Sequence, residues 1–476
     1  MNNSRIDAQT NFSTPFYILL GVLFLLPIPL GANRPWAWSF FQIVIFGLSF
    51  YTTFHLRSSA FAGIKAHKNM ILLWLAFILV ALLQIIPMPQ TMMELLSPTS
   101  SKFYELANAD TYFVSVDVGQ SIISLMKLLS LFCLLVLIMQ LINSEQRIKL
   151  LLLTMVASGT FQALYGSFEI LLGIERSLVF DLEVSESATG SFVYRNHYAN
   201  FLMLCLSAGI GLMVATLEKD KFMSRKDRVR SAANSLLSSK AIVRICLVIM
   251  VIALVMSRSR MGNTAFFVSV AVIGLIALVL IRNRSNGLFI FVVSMFIVDL
   301  MIVSAYFGLS RVKDRLEQTS LDQETRDEVI REAVQIVQDF PLFGSGGGSF
   351  YSIFPQYQTS EIFAFYDHAH NEYVQFTIEY GVTGVFILLL ILLFTIYKAI
   401  RAMYMRKNSI FKGLSFAILM VLLAMSMHMS VDFPLQGYAN ACYFVVFIAL
   451  AMVANSLKLK NKREPRKKFK EAQRIW

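Results

Sequence analysis

The chain is 476 residues long, 56% hydrophobic and only 15% charged, with a net charge of +12. Apolar runs of about 18 residues or more recur from end to end, which excludes a soluble globular domain and points to a polytopic membrane protein. The positive charge does not indicate a nucleic-acid partner, because the basic residues cluster in short connections between apolar runs and no basic face is interleaved with exposed aromatics.

Twelve apolar runs are long enough to be helical spans, over residues 16–30, 36–54, 70–86, 121–142, 148–172, 196–217, 241–256, 262–281, 287–309, 374–400, 410–430 and 438–457. The first has no basic n-region ending in a small-residue cleavage site and reads as a retained span. Cys133, Cys205, Cys246 and Cys442 all fall inside apolar runs at unrelated spacings. They read as lipid-facing or packing residues, not as a disulfide framework or a metal site.

Alternate connections carry the basic residues: Arg57, Lys65 and Lys68, then Arg147 and Lys149, the cluster from Lys219 to Arg230, Arg282 and Arg284, and the cluster from Lys398 to Lys412. A basic tail over 458–476 follows. The positive-inside rule makes these connections and both termini cytoplasmic. Residues 1–309 then form nine spans, 310–373 a large outward loop, and 374–457 three more spans.

Several arginines sit on the outward side, where basic residues are normally scarce: Arg34, Arg195, Arg258, Arg260, Arg311, Arg315, Arg326 and Arg331. A guanidinium fork suits an anionic group such as a pyrophosphate. The alternative is snorkelling, or pairing with neighbours such as Asp314, Glu317, Asp327 and Glu328. The short turn holding Arg258 and Arg260 favours the functional reading, whereas the acidic residues around Arg311 and Arg315 favour a solvated face.

The outward loop opens with two capping-box patterns, Ser320 to Gln323 and Thr325 to Glu328. Val329, Ile330, Ala333, Val334, Val337 and Phe340 recur at helical spacing, predicting an amphipathic helix on the outer membrane surface that ends at Pro341. Gly344 to Ser349 lacks the lysine of a nucleotide-binding loop and reads as a flexible hinge. His368, His370, Asn371 and Glu372 then meet the tenth span at the membrane boundary, where an imidazole is suited to take a proton from a hydroxyl. His368 and His370 as metal ligands are a weak alternative, since no cysteine or acidic cluster completes a site. His428 and Asp432 share a helix face four residues apart. Lys127, Glu169 and Asp299 lie inside spans and keep open a transporter of lipid-linked sugars.

Five stretches resemble the bacterial O-antigen ligase and O-antigen polymerase superfamily over roughly residues 150–455. They are His370-Asn371 followed by Gly381 and Gly384; Ser259-Arg260-Met261-Gly262; Arg326 through Gly348; Arg195-Asn196-His197-Tyr198; and His428 to Asp432-Phe433. Met261 departs from the commoner glycine, and Arg331 replaces the usual aromatic. The resemblance implies an all-α, GT-C-like glycosyltransferase of the bacterial inner membrane, with about twelve spans and one large periplasmic loop. It also implies a metal-independent, cofactor-free transfer. The donor is then an oligosaccharide on undecaprenyl pyrophosphate, and the acceptor glycan is a lipid-linked repeat or lipid A-core.

With that reaction, His370 is the expected base and Arg260 the expected catalytic cation. Arg258, Arg326 and Arg195 are expected to bind the pyrophosphate, and Asn371, His368, Glu372, Asp432 and His428 to support them. The two segments around residues 195 and 428 look more like exopolysaccharide polymerases than ligases. A separate chain-length regulator is a further expected partner, beside the membrane lipids themselves.

Overall fold

The computed structural model describes residues 13–56, 65–177, 179–184, 186–217, 239–281, 289–290, 293–294, 324–359, 362 and 365–457. Its helices are α1 (Ser13–Leu25), α2 (Pro35–Leu56), α3 (Lys68–Leu83), α4 (Gln90–Leu96), α5 (Pro98–Leu106), α6 (Val118–Leu141), α7 (Glu145–Leu171), α8 (Arg195–Leu217), α9 (Ser239–Met256), α10 (Arg260–Leu280), α11 (Glu324–Asp339), α12 (Phe350–Ile353), α13 (Glu372–Met405), α14 (Ser409–Met429) and α15 (Tyr438–Ser456). No strand occurs among the described residues, so the protein is all-α.

Eight of these helices are long and apolar enough to cross a membrane, and α1, α3 and the apolar part of α9 are shorter apolar helices. Together they account for eleven of the twelve expected spans within a few residues. The expected span 287–309 lies outside the described residues apart from four helical positions. So do Arg311, Arg315, Asp299, the capping residues Ser320 and Gln323, and the basic tail. The first helix stops at Leu25 instead of running to residue 30, because Pro27 and Pro29 cannot continue the hydrogen-bond ladder.

α8, α14 and α15 are the inner helices, with 83% of their apolar windows buried against 28% for α13 and 33% for α2. Close approach between α8 and α14 rests on Gly211 and Gly413, where a Cβ on either would strike the other's backbone. The outer helices expose Phe50, Val279, Phe386 and Leu393 on their flanks, the arrangement expected where the surrounding solvent is lipid.

One break organises the end of the bundle that carries the site. α13 is interrupted at Gly381, whose φ of 63° and ψ of −176° are non-helical. A break frees carbonyls on one side and N–H groups on the other, and these need partners. The segment from Pro341 to Gly346 supplies them. The N–H groups of Val382 and Thr383 donate to the carbonyls of Pro341 and Leu342 at 2.8 and 3.2 Å, and those of Ser345 and Gly346 donate to Ile378 and Glu379 at 2.7 and 3.1 Å.

Gln84, at the end of α3, locks the other side of this segment. Its amide nitrogen donates to the carbonyls of Phe343 and Glu379, both at 2.7 Å, and its oxygen accepts from the Gly347 N–H at 3.0 Å. Ser345 and Ser349 are fully buried. The glycine-rich run is therefore a docked wedge and not the flexible hinge expected from its composition. Its glycines serve close backbone approach, not mobility.

The helix α11 is amphipathic as expected but does not present its apolar face to a membrane surface. Val329, Ala333, Ile336 and Phe340 are buried in a second core with Phe350, Phe354 and Ile378. Val334, expected on that face, is 44% exposed, and Ile336 takes its place.

Replacing Gly381 by alanine would put a Cβ against the Leu342 carbonyl in a backbone conformation that L residues rarely adopt. Gly381→Ala is expected to cost on the order of 1–3 kcal/mol and to lower the apparent thermal midpoint of the purified protein by several degrees. Gly21→Ala, where a Cβ meets nothing within 4 Å, is expected to leave it in place. Equal midpoints for wild type and Gly381→Ala would contradict the docked break.

Candidate active site

His370 stands immediately before α13, in a left-handed conformation with φ of 49°. Only a few per cent of non-glycine residues adopt it, so the surroundings must hold it there. Asn371 caps the helix, its side-chain oxygen accepting from the N–H groups of Tyr373 and Val374 at 3.1 and 3.2 Å. Its amide nitrogen donates to the Ser430 carbonyl at 3.0 Å. Glu372 is fully buried, and its carboxylate accepts from the Leu435 N–H at 2.9 Å. These two neighbours of His370 thus tie it to the turn between α14 and α15.

That turn presents Asp432 and Phe433 to the imidazole. The His370 Nδ1 is buried and lies 3.8 Å from Asp432 Oδ1, and His428 Nε2 lies 3.9 Å from Asp432 Oδ2. The expected His428–Asp432 pairing is therefore an ion-pair approach across the end of α14, longer than a hydrogen bond. His428 is held from behind by Asn200 of α8, Nδ2 to Nδ1 at 3.1 Å. Burial of Asp432 works against its ionisation, but the nearby imidazoles of His370, His197 and His428 and the Phe433 N–H outweigh it and hold the carboxyl below the usual range.

Phe433 is enclosed by three imidazoles. His368 stacks on it at 4.3 Å between ring centres, and His197 and His370 meet it edge-on, each at 4.9 Å. Gln375 holds His368 through a 3.0 Å contact between its amide nitrogen and Nδ1. Burial is the main reason His368 is pushed down to about 4, with His197 and His370 acting the same way and Asp367 and Gln375 opposing.

The arginines lie beside this cluster. A cavity of about 420 Å³ is lined by Arg195, Arg258, Tyr194, Glu186 and Thr189. Arg258, also left-handed at φ of 52°, donates to Glu186 Oε2 at 2.8 Å. Tyr194 joins the cavity to the histidines, its ring edge-on to Phe433 at 5.9 Å. Its hydroxyl is pushed up by burial and by Asp367 and Asp432, with Arg34 acting in the opposite sense.

Arg260 is the first residue of α10 and is exposed, next to Ser259, whose hydroxyl caps the Gly262 N–H at 3.3 Å. At Gly262 the α10 backbone packs on Ala199 of α8, which keeps this turn close to the Arg195 segment. The backbone of Arg326 lies in α11, and its side chain is outside the described residues. Arg331 is exposed on the same helix.

His370, His368, Asn371, Glu372, His428 and Asp432 therefore form one cluster, and Arg195 and Arg258 share the adjoining cavity. Sequence reasoning missed Gln375, Asn200, Tyr194 and Glu186. His197 and Phe433 were visible only inside quoted motifs. Among the described residues no group of three or more His, Cys, Asp or Glu side chains has a metal-binding arrangement.

Residues 245–389, from α9 into the second half of α13, match the family model described as O-antigen ligase. Over these residues the chain is similar to the O-antigen ligase family, which supports the resemblance to the O-antigen ligase and polymerase superfamily. The match covers the Ser259-Arg260 turn, α11, the glycine wedge and His370, and it leaves outside it the segments around residues 195 and 428. No curated protein matches the chain. The match and the eight long apolar helices support a multi-pass bacterial membrane protein and a glycosyltransferase-like enzyme of the ligase or polymerase type.

The folded protein keeps His368 neutral down to about pH 4, whereas the unfolded chain takes up that proton near 6.5. The unfolded state binds more protons in that window, so stability rises with pH from about 4 to 6.5. His67, at the start of α3, is likewise pushed down to about 4, by burial and then by Lys398. Acidification from pH 7 to 5 is expected to lower the thermal midpoint, and His368→Gln to make that decline shallower without abolishing it. An unchanged slope in the variant would contradict a buried neutral His368.

Proposed function

We propose that the protein joins a glycan carried on undecaprenyl pyrophosphate to an acceptor sugar at the periplasmic face, as a polymerase of O-antigen or exopolysaccharide repeats. The observation that carries the proposal is the juxtaposition of an aspartate-backed imidazole with a cavity lined by two arginines, in a chain that resembles this superfamily.

Asp432 faces the buried Nδ1 of His370, which leaves Nε2 as the nitrogen that takes a proton from the acceptor hydroxyl. The freed oxygen attacks the anomeric carbon of the donor as its bond to the pyrophosphate oxygen breaks, and the electron pair leaves with the pyrophosphate. Attack opposite the leaving group inverts the anomeric centre. Charge grows on the pyrophosphate, and Arg258 and Arg195, which share a cavity, are the candidates to take it, with Arg260 on the neighbouring turn as the expected third cation. Arg326 is a further candidate for this role. The leaving group is already a good one, so positioning and cationic stabilisation suffice without a metal or cofactor. Glu186, paired with Arg258, is displaced as the pyrophosphate enters.

The second reading is transfer to lipid A-core, favoured by the description of the matching family as O-antigen ligase. Polymerase is favoured by the resemblance of the segments around Arg195 and Asp432 to exopolysaccharide members. A deletion strain separates them. Loss of a polymerase leaves single repeats, and loss of a ligase strands long polymer on the carrier lipid.

The direct test reconstitutes the protein with purified lipid-linked repeats. His370→Ala and Arg260→Ala are each expected to reduce chain growth by about 100-fold or more at equal protein levels. Chain growth retained in both variants would remove the assignment of these residues, and no chain growth by the wild-type protein would favour the transporter reading.

A further inference from the structure

A second cavity, of about 310 Å³, lies between α3, α6, α13, α14 and α15 and is overwhelmingly apolar. Tyr373, Leu435 and Gln436 are among its lining residues. Tyr373 lies three residues from His370, and Leu435 is the residue that holds Glu372, so this cavity reaches the segments that position His370.

The apolar cavity has a polar end and a dry end. Lys127, Ser124 and Glu379 line it at the level of the α13 break. Glu379 accepts from the Gln375 amide at 3.0 Å and from N–H groups of Gly348 and Phe350, and it also attracts Lys127 electrostatically. Lys127 makes no direct ion pair among the described residues, and its ammonium rests 3.9 Å over the Trp38 ring. A cation with no direct ion pair at the polar end of an apolar cavity suits an anionic head group. Beyond it the walls run from Val385 to Leu392 on α13 and from Ala441 to Ile448 on α15, each about 10 Å along its helix. Leu389 lines the cavity and is also 46% exposed on the flank, so the cavity opens sideways.

We propose that this cavity seats the head-group end of the acceptor's polyprenyl chain, with Lys127 beside its pyrophosphate, while the arginine cavity takes the pyrophosphate of the donor. This rests on the reading of the site as a lipid-linked glycan transferase. Charge decides which substrate goes where. The donor pyrophosphate gains charge in the transition state and needs the arginines, whereas the acceptor pyrophosphate does not change charge and one lysine suffices. A cavity of about 310 Å³ takes only the isoprene units next to the head group of one chain, the rest of which lies in the bilayer, and not the bundle of acyl chains of a lipid A.

The experiment has two arms, both on the full chain in nanodiscs. In the first, undecaprenyl phosphate carrying a diazirine on its first isoprene units is photolysed with the protein. Label is expected on residues 385–392 and 441–448, and it is expected to fall at least fivefold in Leu389→Trp and in Val445→Trp, which fill the cavity from opposite walls. Label absent from both stretches overturns the proposal. So does loss of label when phosphatidylglycerol is raised to half the bilayer, or when excess lipid A is added, because ordinary bilayer lipid or acyl chains are then the occupants.

In the second arm, transfer is measured with a long-glycan donor and a single-repeat acceptor. Leu389→Trp and Lys127→Met are expected to raise the KM for the acceptor at least tenfold and not that for the donor. A rise for the donor alone overturns the assignment of the cavity. Absence of any transfer by the wild-type protein sinks the enzymatic reading instead, and the labelling arm still decides what the cavity holds.

Discussion

The break in α13 at Gly381 and the wedge docked into it are what the rest of this end of the molecule depends on. A helix interrupted inside a membrane protein leaves carbonyls and N–H groups that lipid cannot satisfy. Here the backbone of residues 341–346 meets both sets, and Gln84 fastens the wedge to α3. The segment Glu372 to Tyr380 is thereby turned away from the transmembrane part of its own helix. His370, at its head, is delivered to the turn that carries Asp432 and Phe433. The positive φ of His370 is held by the ties on either side of that turn, made by Asn371 and Glu372.

The chemistry follows from where charge is and is not compensated. Asp432 sits among His370, His428 and His197, and their combined effect outweighs the burial that would otherwise protonate it. A carboxylate fixed in this way can orient an imidazole without competing for its proton, which is the property a general base needs from the group behind it. The arginines are exposed, and one of them already holds a carboxylate from Glu186. An exposed pair of this kind contributes little to stability, so exchange for a doubly charged ligand meets little resistance. The same end of the bundle therefore holds an aspartate-backed imidazole, a cavity lined by two arginines and an apolar cavity.

Much of the architecture was legible in the sequence, because a bilayer makes hydrophobic length nearly sufficient to find a span. The helix ending just before Pro341 and His370 with Asn371 at the head of α13 were equally open to reading. The wedge was not. Gly-Ser-Gly-Gly-Gly-Ser has the composition of a linker, and only the broken helix opposite it shows that its glycines permit contact. Val334 and Ile336 were exchanged because both fit an apolar stripe, and the packing partner that chooses between them lies far along the chain. Gln84, Gln375 and Asn200 were invisible for another reason. A lone amide in an apolar run has no spacing signal, and its importance comes only from the groups that converge on it.

The central claim is that pyrophosphate and sugar are brought together between Arg258 and His370. A cryo-electron-microscopy structure of the protein with a non-hydrolysable undecaprenyl-pyrophosphate glycan tests it most directly. The account predicts the pyrophosphate within hydrogen-bond distance of Arg258 and Arg195, Glu186 displaced from Arg258, and the anomeric carbon facing His370. A pyrophosphate found beside Lys127, with the arginine cavity empty and the sugar remote from His370, would contradict it.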